Sequence, residues 1–371
     1  MLIVSVVSGT STDGLTIGNI DINGYNLDTT FKILKGKTVP YSNDLRSRLI
    51  EAADNGSITS EKISRLSWDL GLKIAESVES LDVEYDLLSF SGHTIYHGPS
   101  VKKTENATLQ IGEISIIVSR SGKTAVSDYR VTDMAHGGLG APLVAISDYI
   151  IFKQSGTLTI NIGGISNITY LGEKGPIAFD TGPGNILIDQ AMFRLYGANY
   201  DKDGRVAANG QIVEKLLAFL MNDRYLKLRP PKNSGREYFG TIYLNKILKK
   251  FPSVSNEDLI RTLTRFTAES IHDQTERFLP GIRSEIIVGG GGSRNKMIMS
   301  DLTELFSGRI STFSSKGIDD ELRESLAFAI LANQTVHHAA GRITDVTKMY
   351  GPVLGKITPG DNFRELFQFL K

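Results

Sequence analysis

The sequence predicts an α/β fold made of two similar halves, and three observations carry that expectation. An apolar strand, a turn of small polar residues and a second short strand occur twice, at 2–22 and at 157–171. Short apolar runs alternate with segments of helical periodicity, the pattern of mixed α/β domains. At 371 residues the chain is long enough for two buried cores.

Each element follows from its residues. The first hairpin reads as Leu2–Val7, a turn over Ser8-Gly9-Thr10-Ser11-Thr12-Asp13-Gly14, and a return strand Leu15–Ile22. Ser60–Val78 is an amphipathic helix, because Ile63, Leu66, Leu70, Ile74 and Val78 recur at spacings of three and four, with Trp68 beside that face. Asp86–Phe90 reads as a buried strand ending at Ser91-Gly92, and the mostly apolar Pro142–Phe152 as a helix. The second hairpin follows at once: Thr157–Ile162, a turn over Gly163–Asn167, then Ile168–Leu171. Further strands are expected around Ala178 and Ile287, and helices at Ile186–Leu195, Gln211–Met221, Ser255–Phe278 and Leu322–His338. The domain boundary falls near 145–156, giving domains 1–150 and 151–371, with the extreme C-terminal segment free to pack on the first. No low-complexity linker intervenes, so the halves are expected to pack closely across a cleft.

Composition narrows the partners. Lys+Arg and Asp+Glu are both 41, and a chain without net charge is not built mainly for nucleic acid or an anionic membrane. No apolar run approaches the roughly 18 residues that span a bilayer. The N-terminus enters a strand directly, without a signal peptide's basic region and cleavage site. There is no Cys, which removes disulfides and thiol chemistry. A soluble, cytoplasmic protein is the default expectation.

The turns carry the candidate chemistry. Small residues let backbone N–H groups converge on one concavity, a cradle for an anion. Two such cradles suggest half-structures gripping a polyphosphate, hence a nucleotide-dependent enzyme. In the first, hydroxyls can hold phosphate oxygens and Asp13 can hold Mg²⁺ directly or through water, although the same residues also make an ordinary polar turn. Asp180, after the apolar Pro176-Ile177-Ala178 and before Thr181-Gly182-Pro183-Gly184-Asn185, sits at a strand end, where α/β proteins place ligands. It is the best candidate general base, the alternative being a carboxylate that bonds only its own turn. Val288-Gly289-Gly290-Gly291-Gly292 lacks both the dinucleotide-fold spacing and a P-loop lysine, but offers bare backbone against which a nucleoside ring could lie. The loops Asp128-Tyr129-Arg130, Gly137–Pro142 and Pro230-Pro231-Lys232-Asn233-Ser234-Gly235-Arg236-Glu237 carry Arg130 and Arg236, each suited either to a ligand or to a structural carboxylate. His93 and His97 lie in a strand-like stretch, which disfavours a zinc site.

In order and almost end to end, these motifs resemble those of the anhydro-N-acetylmuramic acid kinase family. The resemblance rests on Ser8-Gly9-Thr10-Ser11 with Asp13-Gly14, Thr108-Leu109-Gln110-Ile111-Gly112, Asp128 with Arg130, and Gly137-Gly138 with Gly140-Ala141-Pro142-Leu143. It continues through Asn161–Ile165 with Asn167, Phe179–Asn185, Lys202-Asp203-Gly204, Pro230-Pro231-Lys232 and Gly235-Arg236-Glu237. Gly289-Gly290-Gly291 with Arg294-Asn295, Glu324 with Leu326–Ala329, and Pro352–Gly355 complete it.

The resemblance implies two related actin-like (RNase H-like) domains with a nucleotide cleft between them, ATP and Mg²⁺, a small sugar substrate and a homodimer. It implies phosphorylation of the 6-hydroxyl of a 1,6-anhydro sugar while water opens the bridge. Asp180 would activate the water. ATP would be held by Gly9, Thr10, Ser11, Asp13, Gly14, Gly163, Gly164, Gly182, Gly184, Asn185, Gly289, Gly290, Gly291 and Asn295. The sugar would be held by His93, Thr94, Arg130 and Gly138, and the metal by Asp13 and, less directly, Glu324. Two departures stand out: the family's His-Gly-Gln-Thr reads Ser91-Gly92-His93-Thr94, and its Gly-Gln-Gly reads Gly138-Leu139-Gly140. A kinase of a different sugar, as levoglucosan kinase illustrates, and a nucleotide-binding actin-like protein without catalysis are the alternatives these residues leave open.

Overall fold

The computed structural model describes residues 1–9, 12–54, 58–98, 106–153, 156–172, 175–235, 238–279, 285–343 and 351–368, so Thr10, Ser11, Arg236 and Glu237 lie outside the described residues. The chain divides into two compact units, residues 1–153 with 321–371, and residues 154–320.

The first unit holds β1 (Leu2–Ser8), β2 (Gly14–Asn23), β3 (Thr30–Pro40), β4 (Leu87–Gly98), β5 (Ala107–Ile111) and β6 (Ala125–Ser127). Its sheet runs from the short strand Lys356–Thr358 through β6, β4, β1 and β2 to β3, with β5 paired to β4. β1, β2 and β3 form an antiparallel meander, to which β4 and then β6 add in parallel. The second unit holds β7 (Thr157–Ile162), β8 (Ile165–Gly172), β9 (Gly175–Pro183), β10 (Glu285–Gly289) and β11 (Ile310–Thr312), ordered β11-β10-β7-β8-β9. Again an antiparallel meander, β7-β8-β9, receives two parallel strands beside its first member. The same order and strand directions are thus built twice, as two related α/β domains of the actin-like kind.

Apolar periodicity places the helices. On Ser60–Glu79 the spaced Leu66, Leu70, Ile74 and Val78 are buried, while Trp68, off that stripe, is 56% exposed. Thr59 caps the helix, its hydroxyl accepting from the Lys62 N–H. Helix Asn256–Phe278 packs Leu259, Leu263, Phe266 and Ile271 into the core of the second unit. It also buries hydroxyls, of which Thr264 and Thr275 bond their own turns at 2.8 and 2.7 Å.

Four boundaries differ from expectation. The segment from Glu321 onward groups with the first unit, not with the second domain. Its helix Arg323–Val336, buried on nearly every side, lies on the first sheet: Ser325 Oγ donates to the Ser5 carbonyl and Ser89 Oγ to the Phe328 carbonyl, both at 2.8 Å. Gly18 and Gly36 admit this helix, since β-carbons there would lie 2.6 Å from Ser325 Oγ and 2.2 Å from Leu322 Cδ1. β4 does not end at Ser91-Gly92 but runs to Gly98, because β5 pairs with its extension. The second hairpin turn is only Gly163-Gly164, and β9 continues through Gly182 and Pro183, which the sequence placed in a turn.

Candidate functional site

In the second unit β7, β9 and β10 run parallel, so their carboxyl ends share one edge of the sheet. Gly163-Gly164 follow β7, Gly184-Asn185 follow β9, and Gly290–Gly292 follow β10. The first two turns are sewn together through main chain: Asn185 N–H donates to the Gly163 carbonyl at 2.8 Å. The Gly184 and Ile186 N–H groups donate to Gly164 at 2.9 and 3.0 Å. From the long helix below, Thr267 Oγ1 donates to the Gly184 carbonyl at 2.8 Å.

Glycine serves two different ends here. A β-carbon at Gly184 would lie 2.3 Å from the Gly163 oxygen, and one at Gly292 would lie 2.2 Å from Ile162 Cγ2. Gly290, at φ 82°, and Gly182, at φ 149°, also hold backbone conformations that favour glycine. These positions let chain pass chain. At Gly163, Gly164 and Gly291 a β-carbon would meet its nearest atoms only at 3.4, 3.9 and 3.8 Å, ordinary contact distances, so the backbone there is not crowded by other chain. Asn295, by contrast, is 7% exposed, and its carboxamide oxygen accepts from the Met297 and Ile298 N–H groups as a helix cap. It also explains Gly204, whose β-carbon would lie 2.4 Å from that oxygen.

Asp180 lies on β9, half-buried, paired in register with Asn167. Segment 225–234 holds it at three points: Ser234 N–H donates to Oδ2 at 2.9 Å, Asp180 N–H donates to the Lys232 carbonyl at 3.1 Å, and the Tyr225 hydroxyl donates to the Asp180 carbonyl at 3.0 Å. Only the Ser234 contact reaches the carboxylate itself; the other two fix the main chain of Asp180, and together they position a carboxylate on β9 that can accept a proton.

In the first unit the hairpin turn is longer. Thr12 N–H donates to the Gly9 carbonyl at 3.1 Å, Arg46 Nε donates to the Thr12 carbonyl, and Arg46 lies 3.6 Å from Asp13, whose side chain is 73% exposed. Gly14 is glycine because of β3, since its β-carbon would lie 2.3 Å from the Val39 oxygen. Beneath the turn Ser8 Oγ bonds His93 Nδ1 at 2.7 Å and the Tyr41 hydroxyl at 2.5 Å, all buried. Burial pushes His93 down to about 4, so the ring is neutral near pH 7, and pushes the Tyr41 hydroxyl up.

Arg130, in the helix Tyr129–Ala135, donates to the Gly140 carbonyl at 2.6 Å, and burial lowers its guanidinium against the opposing pull of Glu324 and Asp133. Glu324 itself is exposed in the first turn of its helix. Gly138 is needed by Asp133, whose Oδ2 would lie 2.0 Å from a β-carbon. The same oxygen accepts the Gly140 N–H at 2.8 Å. Thr94 Oγ1 accepts from Gln110 at 3.2 Å.

The structure therefore brings Gly163, Gly164, Gly184, Asn185 and Gly290–Gly292 to one edge, and gives Gly14, Gly138 and Asn295 structural partners. Among the described residues no group of three His, Asp or Glu side chains is placed to hold a metal. Sequence reasoning weighed His97 only as a zinc ligand, yet it lies near enough to Arg130 for that cation to help burial hold it at about 4, and its buried Nε2 lacks a partner among the described residues. Tyr225, Thr267 and Gln274 were also missed, since nothing in a sequence marks a hydroxyl or amide on a buried helix face as reaching a turn far away.

The sequence model of the family described as anhydro-N-acetylmuramic acid kinase matches residues 1–360. The anhydro-N-acetylmuramic acid kinase of Bacillus cereus (strain AH187) is 37% identical over 378 residues, covering 96% of this chain and 99% of that protein. That of Bacillus thuringiensis subsp. konkukian (strain 97-27) is 37% identical over 380 residues, with the same coverage. Among solved structures the chain resembles a gluconate kinase from Lactobacillus acidophilus at 11% identity and a TM-score of 0.43, over 100% of this chain and 96% of that one, which is too distant to bear on activity.

Proposed function

The chain belongs to the anhydro-N-acetylmuramic acid kinase family, and from that premise we propose how its residues divide the work of an ATP-dependent kinase acting on anhydro-N-acetylmuramic acid. The reading assigns the base to Asp180. Its carboxylate takes a proton from water as that water's oxygen bonds C1, the C1–O6 bond breaks, and O6 attacks the γ-phosphorus of ATP, releasing ADP. The observation that carries this is the three-point grip of segment 225–234 on Asp180 beside the glycine-lined edge.

Phosphate and nucleoside contacts fall to the uncrowded backbone at Gly163, Gly164 and Gly291, and in the first unit to the turn beginning at Gly9. Arg130, His93 and Thr94 are assigned to the sugar. Mg²⁺ usually enters such sites on one or two carboxylates plus substrate phosphates, and the exposed Asp13 fits that need, with Glu324 acting less directly. When bound, the ion would neutralise charge building on the transferring phosphoryl group. The expected setting is a cytoplasmic homodimer.

Asp180→Asn should lower kcat at least 1,000-fold, about 4 kcal/mol of barrier, while ATP binding by calorimetry persists. Turnover in heavy-oxygen water should place solvent oxygen at C1. Wild-type turnover in the variant would remove Asp180 from the mechanism, and unlabelled C1 would remove the hydrolytic step.

A further inference from the structure

Lys232 is an unusual place to keep a cation. It is 7% exposed, and the groups holding its ammonium are neutral: Gln274 Oε1 accepts at 2.5 Å and the Tyr225 carbonyl at 3.1 Å. The ammonium also lies over the ring faces of Tyr225, 4.5 Å from its centroid, and Phe278, at 5.5 Å. A buried charge of this kind costs stability unless something else is gained.

The surroundings indicate what is gained. Tyr225 is attracted by the ammonium at its ring face and, through its hydroxyl, bonds the Asp180 carbonyl at 3.0 Å. Lys232's own carbonyl takes the Asp180 N–H, and Ser234, two residues on, supplies the N–H to the Asp180 carboxylate. Gln274, the partner of the ammonium, also donates to the Leu226 carbonyl at 2.9 Å, fastening the start of the same segment.

We propose that Lys232 is a positioning residue whose ammonium locks segment 225–234 around Asp180 and supplies a positive charge near that carboxylate, so that turnover falls when the lysine loses its proton. This rests on the reading of Asp180 as the base. A neutral amine would keep its hydrogen bonds but lose the attraction of a cation to two ring faces.

The titratable groups facing Lys232 are Asp180 from β9, Tyr225, and the Asp273–Arg277 pair of the long helix, joined at 2.6 Å. Burial dominates and lowers the ammonium to about 8. Arg277 acts in the same sense, and Asp273 and Asp180 oppose it. The lysine is therefore charged below that pH and neutral above it, which puts the loss of activity on the alkaline side.

The test is kcat and both KM values against pH from 6.5 to 10 for the wild type, Lys232→Arg and Lys232→Met, with Asp180→Asn alongside. Wild-type kcat should fall with an apparent pKa near 8, as KM for ATP stays within about two-fold. Lys232→Arg should shift that fall by at least one pH unit upward, because guanidinium stays charged. Lys232→Met should lose roughly 10- to 100-fold in kcat at pH 7, the scale of a base misplaced by about 1 Å, and show no alkaline fall. A wild type with flat kcat to pH 10, or an arginine variant that keeps the fall near 8, overturns the proposal even if the methionine variant does not fold. An inactive Asp180→Asn beside a fully active Lys232→Met overturns the positioning role alone, whereas an active Asp180→Asn overturns the base assignment.

Discussion

The hairpins β1-β2 and β7-β8 share one topology and hold their turns in opposite ways. The turn after β7 is two glycines whose carbonyls are each bonded by N–H groups of residues 184–186, so main chain fixes main chain. The turn after β1 is longer, and what lies under it is a chain of side chains, Tyr41, Ser8 and His93. A site made of backbone depends on side-chain identity only where a β-carbon would collide. A turn underlain by side chains depends on the identity of each, as the Ser8–His93 bond does on the imidazole. The turn in the second unit is thus constrained by main-chain packing, and the one in the first by side-chain bonds.

The strongest way to break this contrast is to put a methyl where main chain meets main chain. Gly184→Ala forces a contact of 2.3 Å with the Gly163 oxygen, and should destabilise by about 1–3 kcal/mol or more, read as a lowered Tm. Gly163→Ala and Gly291→Ala meet nothing closer than 3.4 Å. They should melt within about 0.5 kcal/mol of wild type yet raise KM for ATP, on the order of 10-fold, by placing a methyl where a phosphate or ring approaches. Equal melting of Gly184→Ala and wild type, or equal KM of Gly163→Ala and wild type, would erase the distinction between packing and ligand-facing glycines.

This distinction also marks where the sequence became illegible. The two hairpins and the strands near 87–90, 178 and 287 were readable because they are short apolar runs ending in Gly, Ser or Asn. Thr30–Pro40, Ala107–Ile111, Ala125–Ser127 and Ile310–Thr312 carry no such signal. Asp180 stood out in the sequence because it follows an apolar run and precedes glycines, although β9 in fact continues through it to Pro183. The sequence could not say which glycine of a run faces solvent, since Gly290, Gly291 and Gly292 differ only in what lies beside them. Nor could it place the Arg323–Val336 helix on the first sheet: the sites that receive it, Gly18 and Gly36, are single glycines inside strands, with no local signature of a docking helix. Helix caps hide similarly, as Asn295 shows. A residue suited to bind phosphate is equally suited to satisfy a helix's own N–H groups.

His93 sharpens the comparison from the other unit. Its folded value of about 4 lies below the ordinary 6.5, so between these values the unfolded chain binds more protons than the folded one. Stability from keeping the ring neutral is complete above about pH 6.5 and is lost as the pH falls towards 4, by up to roughly 3 kcal/mol. His93→Gln, which restores the residue usual in the family, should flatten this acid limb in urea titrations between pH 7 and 4.5. His97, held down likewise, leaves a residual slope in the variant. An unchanged limb in His93→Gln would mean that the buried Ser8–His93 bond does not couple to folding.

The smallest expected effect concerns Asp13, the one carboxylate of the first turn. Its contact with Arg46 spans 3.6 Å between largely exposed side chains, and such pairs are screened by solvent and usually contribute about 0–1 kcal/mol. Asp13→Asn should therefore move Tm by no more than about 1–2 °C, the scale expected for a change of a few tenths of a kcal/mol in a chain of this size. If Asp13 is there to meet a cation carried on the nucleotide, the Mg²⁺ concentration giving half-maximal rate should rise several-fold while the rate at saturating Mg²⁺ stays near wild type. A lowered Tm with unaltered Mg²⁺ dependence would instead make Asp13 a partner of Arg46 that orders the turn. The longer hairpin would then match its counterpart in using its polar groups to hold itself.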